Sequence, residues 1–353
     1  MTQSQQQQQE RKFIAVDFRG IQPMARERTA LAATGPAGLE VMAILPVPPP
    51  EPESIEPDAL PRPPLAIAAD VTFELGGEAA RAAYTYAALG GLVSFAGRIG
   101  DDPAGDVVLQ WLAGRGVDTT SIVRSGATPV VVRLGAAGYR PIAITGNMPG
   151  ADTAPGAAPD LERALERLAP SGQGTGTLLL AGFPYGLRGE AVAAALREAG
   201  RRRVRTVVSL SPVALGGPGA PLSPEDLEPL LPEAGLICGG PAELRRATRR
   251  SDPAEAARAL IAGGARAVLA KRGPDGATLF RPGPAALERE DTPTPAIATT
   301  LQPVDRLRLA ASFGAVFDAA YLLGVAFNDP SPVRFAAAAA ARVATSPRGI
   351  LGL

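Results

Sequence analysis

The stretch Ser312-Phe-Gly-Ala-Val-Phe-Asp-Ala-Ala-Tyr-Leu-Leu-Gly324 decides how this chain is read. Apart from Asp318 it is made of small and apolar residues, so it predicts a helix buried on most of its surface. Ser312 is a competent N-cap for that helix, because its hydroxyl can accept from a first-turn amide. Asp318, alone in this setting, reads as a helix carboxylate that is either exposed or held by an ion pair.

Outward from this run, short apolar segments alternate with helical ones. Strands are predicted at 177–181, 204–210, 236–238 and 267–271, helices at 190–198 and 253–262, and closing helices at 309–323 and 333–345. That spacing argues for βαβ units and a mostly parallel sheet with helices on both faces. Gly76-Gly77 opens a further predicted helix, which Gly90 closes, and residues 92–106 give a strand, a glycine turn and a new helix. Asp101 and Asp102 in that turn are explained by side-chain capping. The strand-like runs 70–75, 130–134 and 140–145 predict a small β lid, at about 65–75 and 128–147. Gly38–Leu45 is an apolar run of strand length, and the domain is expected to start there, spanning 37–353. Residues 1–36, with five consecutive glutamines from Gln5, are expected to be a flexible extension or a docking arm. Residues 46–64 are too rich in proline for helix or central strand.

Composition removes several kinds of chemistry. The chain of 353 residues has 46% apolar residues, enough for a large core, and a formal net charge of zero with no basic stripe. Direct binding of nucleic acid is therefore not expected. There is no histidine, which excludes Ser-His-Asp and Cys-His catalysis and every His-ligated metal site. The one cysteine, Cys238, cannot form an internal disulfide or a thiolate zinc site, and it reads as a buried strand-end residue. No metal site is expected. No apolar run is long enough for a membrane span, and the N-terminus lacks the apolar core of a secretory signal, so a cytoplasmic location is expected.

As a set, these motifs resemble the PfkB/ribokinase family of carbohydrate kinases, over about residues 38–350. The family signature G-A-G-D-x-F-x-A-G-F-L-x-G aligns with Ser312–Gly324 without a gap, matching at Phe317, Ala319, Tyr321, Leu322 and Gly324. The resemblance implies a ribokinase-like doubly wound fold with a small β lid. It also implies that a helix N-terminus at Ser312, Phe313 and Gly314 would hold the transferring phosphate, and that a base would stand where this chain has Ala315. A methyl group cannot take a proton. Asp318 is the only nearby substitute, and it lies one turn deeper, about 4.5 Å along the axis.

Other family positions depart in the same direction. The substrate motif G-G-x-x-x-N becomes Gly76, Gly77 and then Arg81, which leaves a cation that either pairs in the lid or takes an anionic ligand. The N-x-x-E motif linked to metal and phosphate becomes Gly240-Pro-Ala-Glu243. The acidic residue of a D-P strand end becomes Ser211 before Pro212. The family's substrate Asp at the end of the first strand falls among prolines and has no counterpart. Lys271-Arg-Gly273-Pro-Asp-Gly276 resembles the nucleotide-side loop, and Lys271 is placed to reach a phosphate. The resemblance therefore implies a non-catalytic homologue that acts as a binding, scaffold or regulatory subunit, with another protein or a second copy as partner. Two alternatives are an active ATP-dependent sugar or nucleoside kinase using MgATP, and a nucleotide or sugar sensor without transfer.

Overall fold

The computed structural model describes residues 30–46, 68–136, 142–146, 157–168, 176–183, 190–210, 222–284, 286–293, 303–346 and 348–353. Among the described residues the main sheet has nine strands. In spatial order these are β13 (Leu287–Thr292), β12 (Ala277–Pro282), β11 (Val268–Lys271), β10 (Leu236–Gly239), β9 (Arg205–Leu210), β8 (Thr177–Phe183), β1 (Ala30–Thr34), β4 (Leu92–Ile99) and β5 (Asp118–Arg124). From β11 to β5 all pairings are parallel, while β12 and β13 add an antiparallel edge.

Helices cover both faces. They are α1 (Glu78–Ala88), α2 (Pro103–Gly114), α3 (Ala157–Arg167), α4 (Glu190–Arg201), α5 (Pro224–Leu227), α6 (Pro241–Thr248), α7 (Pro253–Ala262), α8 (Pro303–Ala326) and α9 (Pro332–Thr345). One hydrophobic core joins α1, α8 and α9 to the sheet, and a second joins α3, α4, α6 and α7 to the opposite face. A parallel sheet buried on both sides needs strands that are apolar throughout, as β8 (Thr-Leu-Leu-Leu-Ala-Gly-Phe) is.

The start of the domain differs from the sequence expectation. Ala30-Leu-Ala-Ala-Thr34 is not part of an extension: it is the strand between β8 and β4. Leu31 and Ala33 face one core and Ala32 the other, so small side chains here let helices approach both faces closely. No Asp follows this strand, which ends at Thr34-Gly35-Pro36. Residues 1–29 and most of the proline-rich run lie outside the described residues.

Gly38–Leu45 (β2) is likewise not a strand of the main sheet. It belongs to the lid, a four-stranded sheet in the order β3 (Asp70–Gly76), β2, β6 (Val130–Ala136), β7 (Ile142–Gly146). Strand alternation sorts its residues into two unlike faces. Phe73, Val41, Val132 and Ile144 lie side by side on one face, with Val71, Ala43, Leu134 and Ile142 in the next row. Phe73 is 58% exposed and Ile144 55%. The other face carries Glu40, Glu74 and Met42, all buried, together with Arg133.

Candidate functional site

Open α/β sheets bind ligands at the carboxyl ends of their strands, and here β9, β10 and β11 end beneath α8. Cys238 on β10 pairs in register with Ser209 on β9 and Leu269 on β11, so Ser209, Cys238 and Lys271 share the face turned to α8. Asp318 descends from α8 into this group. Lys271 Nζ donates to Asp318 Oδ2 at 2.8 Å, and Ser209 Oγ donates to the same oxygen. Asp318 is 1% exposed, and its Oδ1 is buried without a hydrogen-bond partner among the described residues. Burial works against the Lys271 charge most strongly of any single influence, but Asp318, Cys238 and Glu78 together outweigh it and hold the ammonium above its ordinary pKa. Burial, followed by the same carboxylate, pushes the Cys238 thiol well above its usual range. The ion pair that the sequence left open for Asp318 is therefore formed, with Lys271 as its partner.

The predicted N-terminus at Ser312 does not exist. Helix α8 runs without a break from Pro303 to Ala326. Ser312, Phe313, Gly314 and Ala315 thus lie in its interior, where backbone amides are spent on carbonyls four residues upstream. The helix begins nine residues earlier, about 13.5 Å along the axis. Ala315 is 5% exposed and belongs to the core. Phe313 turns toward Phe317, with ring centroids 5.5 Å apart, and Gly314 passes close to Lys271 Nζ. The reason is local: the residues upstream, Val304-Asp-Arg-Leu-Arg-Leu-Ala-Ala311, contain no helix breaker, so nothing makes Ser312 a boundary.

The remaining predicted residues divide between backbone geometry and internal pairing. Gly77 is the N-cap of α1 at φ 82°, and a side chain there would strike the Pro36 carbonyl and the Ala37 Cα. Gly76 also packs closely on Gly38. Gly273 and Gly276 shape the turn between β11 and β12 at positive φ, closed by Arg272 N–H donating to the Gly276 carbonyl at 2.7 Å. Glu243, in the first turn of α6, folds back over the Gly240 backbone. Arg81 is buried on α1: its Nε donates to the Leu75 carbonyl at 2.6 Å, and its guanidinium pairs with Glu40 of the lid. Of the two roles that the sequence allowed Arg81, the lid ion pair is the one formed. Ser211 lies outside the described residues.

The pfkB family carbohydrate kinase pattern matches residues 53–305, well over half of the chain. The chain belongs to the pfkB family. No curated protein sequence matches it, but many solved structures share its fold. Ribokinase from Arabidopsis thaliana, complexed with ribose and ATP, is similar at 20% identity and TM-score 0.63, covering 93% of this chain and 96% of that one. Aminoimidazole riboside kinase from Salmonella enterica, with its riboside and an ATP analog, is similar at 18% identity and TM-score 0.64, over 91% and 96% of the two chains. Phosphofructokinase-2 from Escherichia coli is similar at 20% and 0.62, over 90% and 93%. The pfkB match ends at residue 305, before the signature helix region at Ser312.

Two groups that a nucleoside triphosphate would use are otherwise engaged in the described residues of this pfkB chain. The amides of Ser312–Ala315 are committed within α8, and Lys271 is committed to Asp318. Among the described residues no group of three or more His, Cys, Asp or Glu is placed to hold a metal ion. No helix among them is long and apolar enough to cross a membrane.

Sequence reasoning passed over Glu40, Arg133 and Ser209. Each is the only polar or charged side chain inside an apolar stretch of strand: Leu-Glu-Val-Met, Val-Val-Arg-Leu and Val-Val-Ser-Leu. A polar group buried in that way must find a partner, and that was the available signal.

Proposed function

We propose that this chain is a non-catalytic member of the pfkB family that serves as a binding, scaffold or regulatory subunit. The observation that carries the reading is the continuity of α8 through Ser312–Ala315. Phosphoryl transfer asks the protein for donors aimed at the phosphate and a base at the acceptor hydroxyl. Here the family's base position is a buried methyl, and the nearest carboxylate, Asp318, is closed off by Lys271 and Ser209.

The outer face of the lid supports a second copy of the chain as the partner. Its two rows of Val, Ile, Phe, Leu and Ala carry no charge, and an uncharged apolar sheet face is self-complementary about a two-fold axis. A cytoplasmic setting completes the reading, in keeping with a single, buried thiol.

Two measurements test it together: the melting temperature with and without millimolar MgATP, and transfer of labelled phosphate from ATP to a panel of sugars and nucleosides. A ligand present at 100 times its Kd adds about 2.7 kcal/mol of stability. The expected result is no transfer and no shift. Transfer to any acceptor overturns the reading, and a shift without transfer makes the chain a nucleotide sensor.

A further inference from the structure

The lid of this protein is joined to its body by charges buried in the space between them. Arg81 belongs to the body, on α1, and is 4% exposed; Glu40 belongs to lid strand β2 and is 1% exposed. The Glu40 carboxylate pairs through one oxygen with Arg81 and through the other with Arg133 of lid strand β6. Glu74 stands directly opposite Glu40 across the β2–β3 pairing and is also buried. It packs on Gly349 of the C-terminal turn, where a side chain would meet the Glu74 carboxylate at 2.1 Å.

We propose that Glu40 is a built-in latch: its carboxylate bridges Arg81 of α1 and Arg133 of the lid, and it holds the lid closed with nothing bound. Arg81 stands where the family motif has its substrate-binding Asn; its Nε donates to the Leu75 carbonyl and its Nη2 pairs with Glu40. Opening the lid would separate the paired ions, and a buried charge that loses its partner is strongly unfavourable. The chain itself therefore supplies a force for closure. The inference stands on the lid and α1, not on α8, so it does not depend on the non-catalytic reading.

Hydrogen exchange on the full-length protein tests this. In the ligand-free wild type, the amides of β2 and β6 are expected to be protected like those of the main sheet, and unchanged by ribose, fructose or adenosine. A lid that exchanges freely, or one that any of these probes tightens, overturns the proposal. In Glu40→Ala the lid is expected to exchange about tenfold faster while the main sheet is unchanged. Acetate should restore its protection by entering between the two guanidiniums, whereas chloride at equal ionic strength should not. Wild-type protection in Glu40→Ala, or equal effects of acetate and chloride, would also overturn it. Should Glu40→Ala fail to fold, Glu40→Gln keeps the volume and is expected to loosen the lid in the same direction, and the wild-type measurement decides by itself.

Discussion

Lys271 Nζ lies 2.8 Å from Asp318 Oδ2, and both side chains are buried between the sheet and α8. The pair joins the end of β11 to the middle of α8, so each charge depends on the other for its place in the core. Removing one partner of a buried pair typically costs about 3–5 kcal/mol, because the other is left uncompensated. Asp318→Leu and Lys271→Met are each expected to lose stability in that range. The double replacement Lys271→Met with Asp318→Leu is expected to recover most of the loss. Urea unfolding midpoints of the four proteins form the cycle; additive losses would show that the two groups do not act as a pair.

The same region sets an alkaline limit on stability. Burial pushes the Tyr321 phenol up to about 12 from 10.0, and Lys271 is also raised. A group whose folded pKa lies above its unfolded value contributes fully below the unfolded pKa, and that contribution is lost as pH rises through the folded one. Stability is therefore expected to decline from about pH 10 toward pH 12, with Tyr321 accounting for about 3 kcal/mol of the fall. Tyr321→Phe should flatten this limb while leaving the acid limb unchanged. An identical alkaline profile in that variant would remove Tyr321 from the account.

Much of the fold was legible because its signals are local. The bounds of α7 match the predicted 253–262, and α1 opens and closes at the glycines that announced it. Asp102 caps α2 through the Gly105 amide, as its place after Gly100 suggested. What was not legible depended on distant contacts. Ala30–Thr34 is rich in alanine, which has little strand preference, and burial on both faces erases the alternation that would mark it. Whether Gly38–Leu45 joined the main sheet or the lid was decided by its pairing with β6, far along the chain. At the candidate site, Ser312 has the chemistry of an N-cap, but capping is only a preference, and the helix formers upstream prevailed.

The outer lid face yields a prediction about assembly. Phe73 and Ile144 occupy the two edge strands of one row and are more than half exposed. If a second copy covers this face, the mass in solution is that of a dimer, and Phe73→Glu or Ile144→Lys gives a monomer with an unchanged melting profile at low concentration. Sedimentation equilibrium checks this. A wild-type monomer at high concentration would leave the face without its proposed partner.

The continuity of α8 has its own test at Gly314. If a helix began at Ser312 and Gly314 offered its amide to a phosphate, adding a methyl group would crowd that approach and bring no helical benefit. In the interior of a continuous helix the balance reverses, because glycine is destabilising there by about 0.5–1 kcal/mol relative to alanine. Space permits the change: the nearest atom to an added Cβ is Lys271 Nζ at 3.5 Å, an ordinary contact. Gly314→Ala is therefore expected to raise stability by about 0.5–1 kcal/mol, read as a higher urea midpoint at unchanged slope. A loss of stability would mean that the backbone at Gly314 is not helical, and would return this position to the role the family gives it.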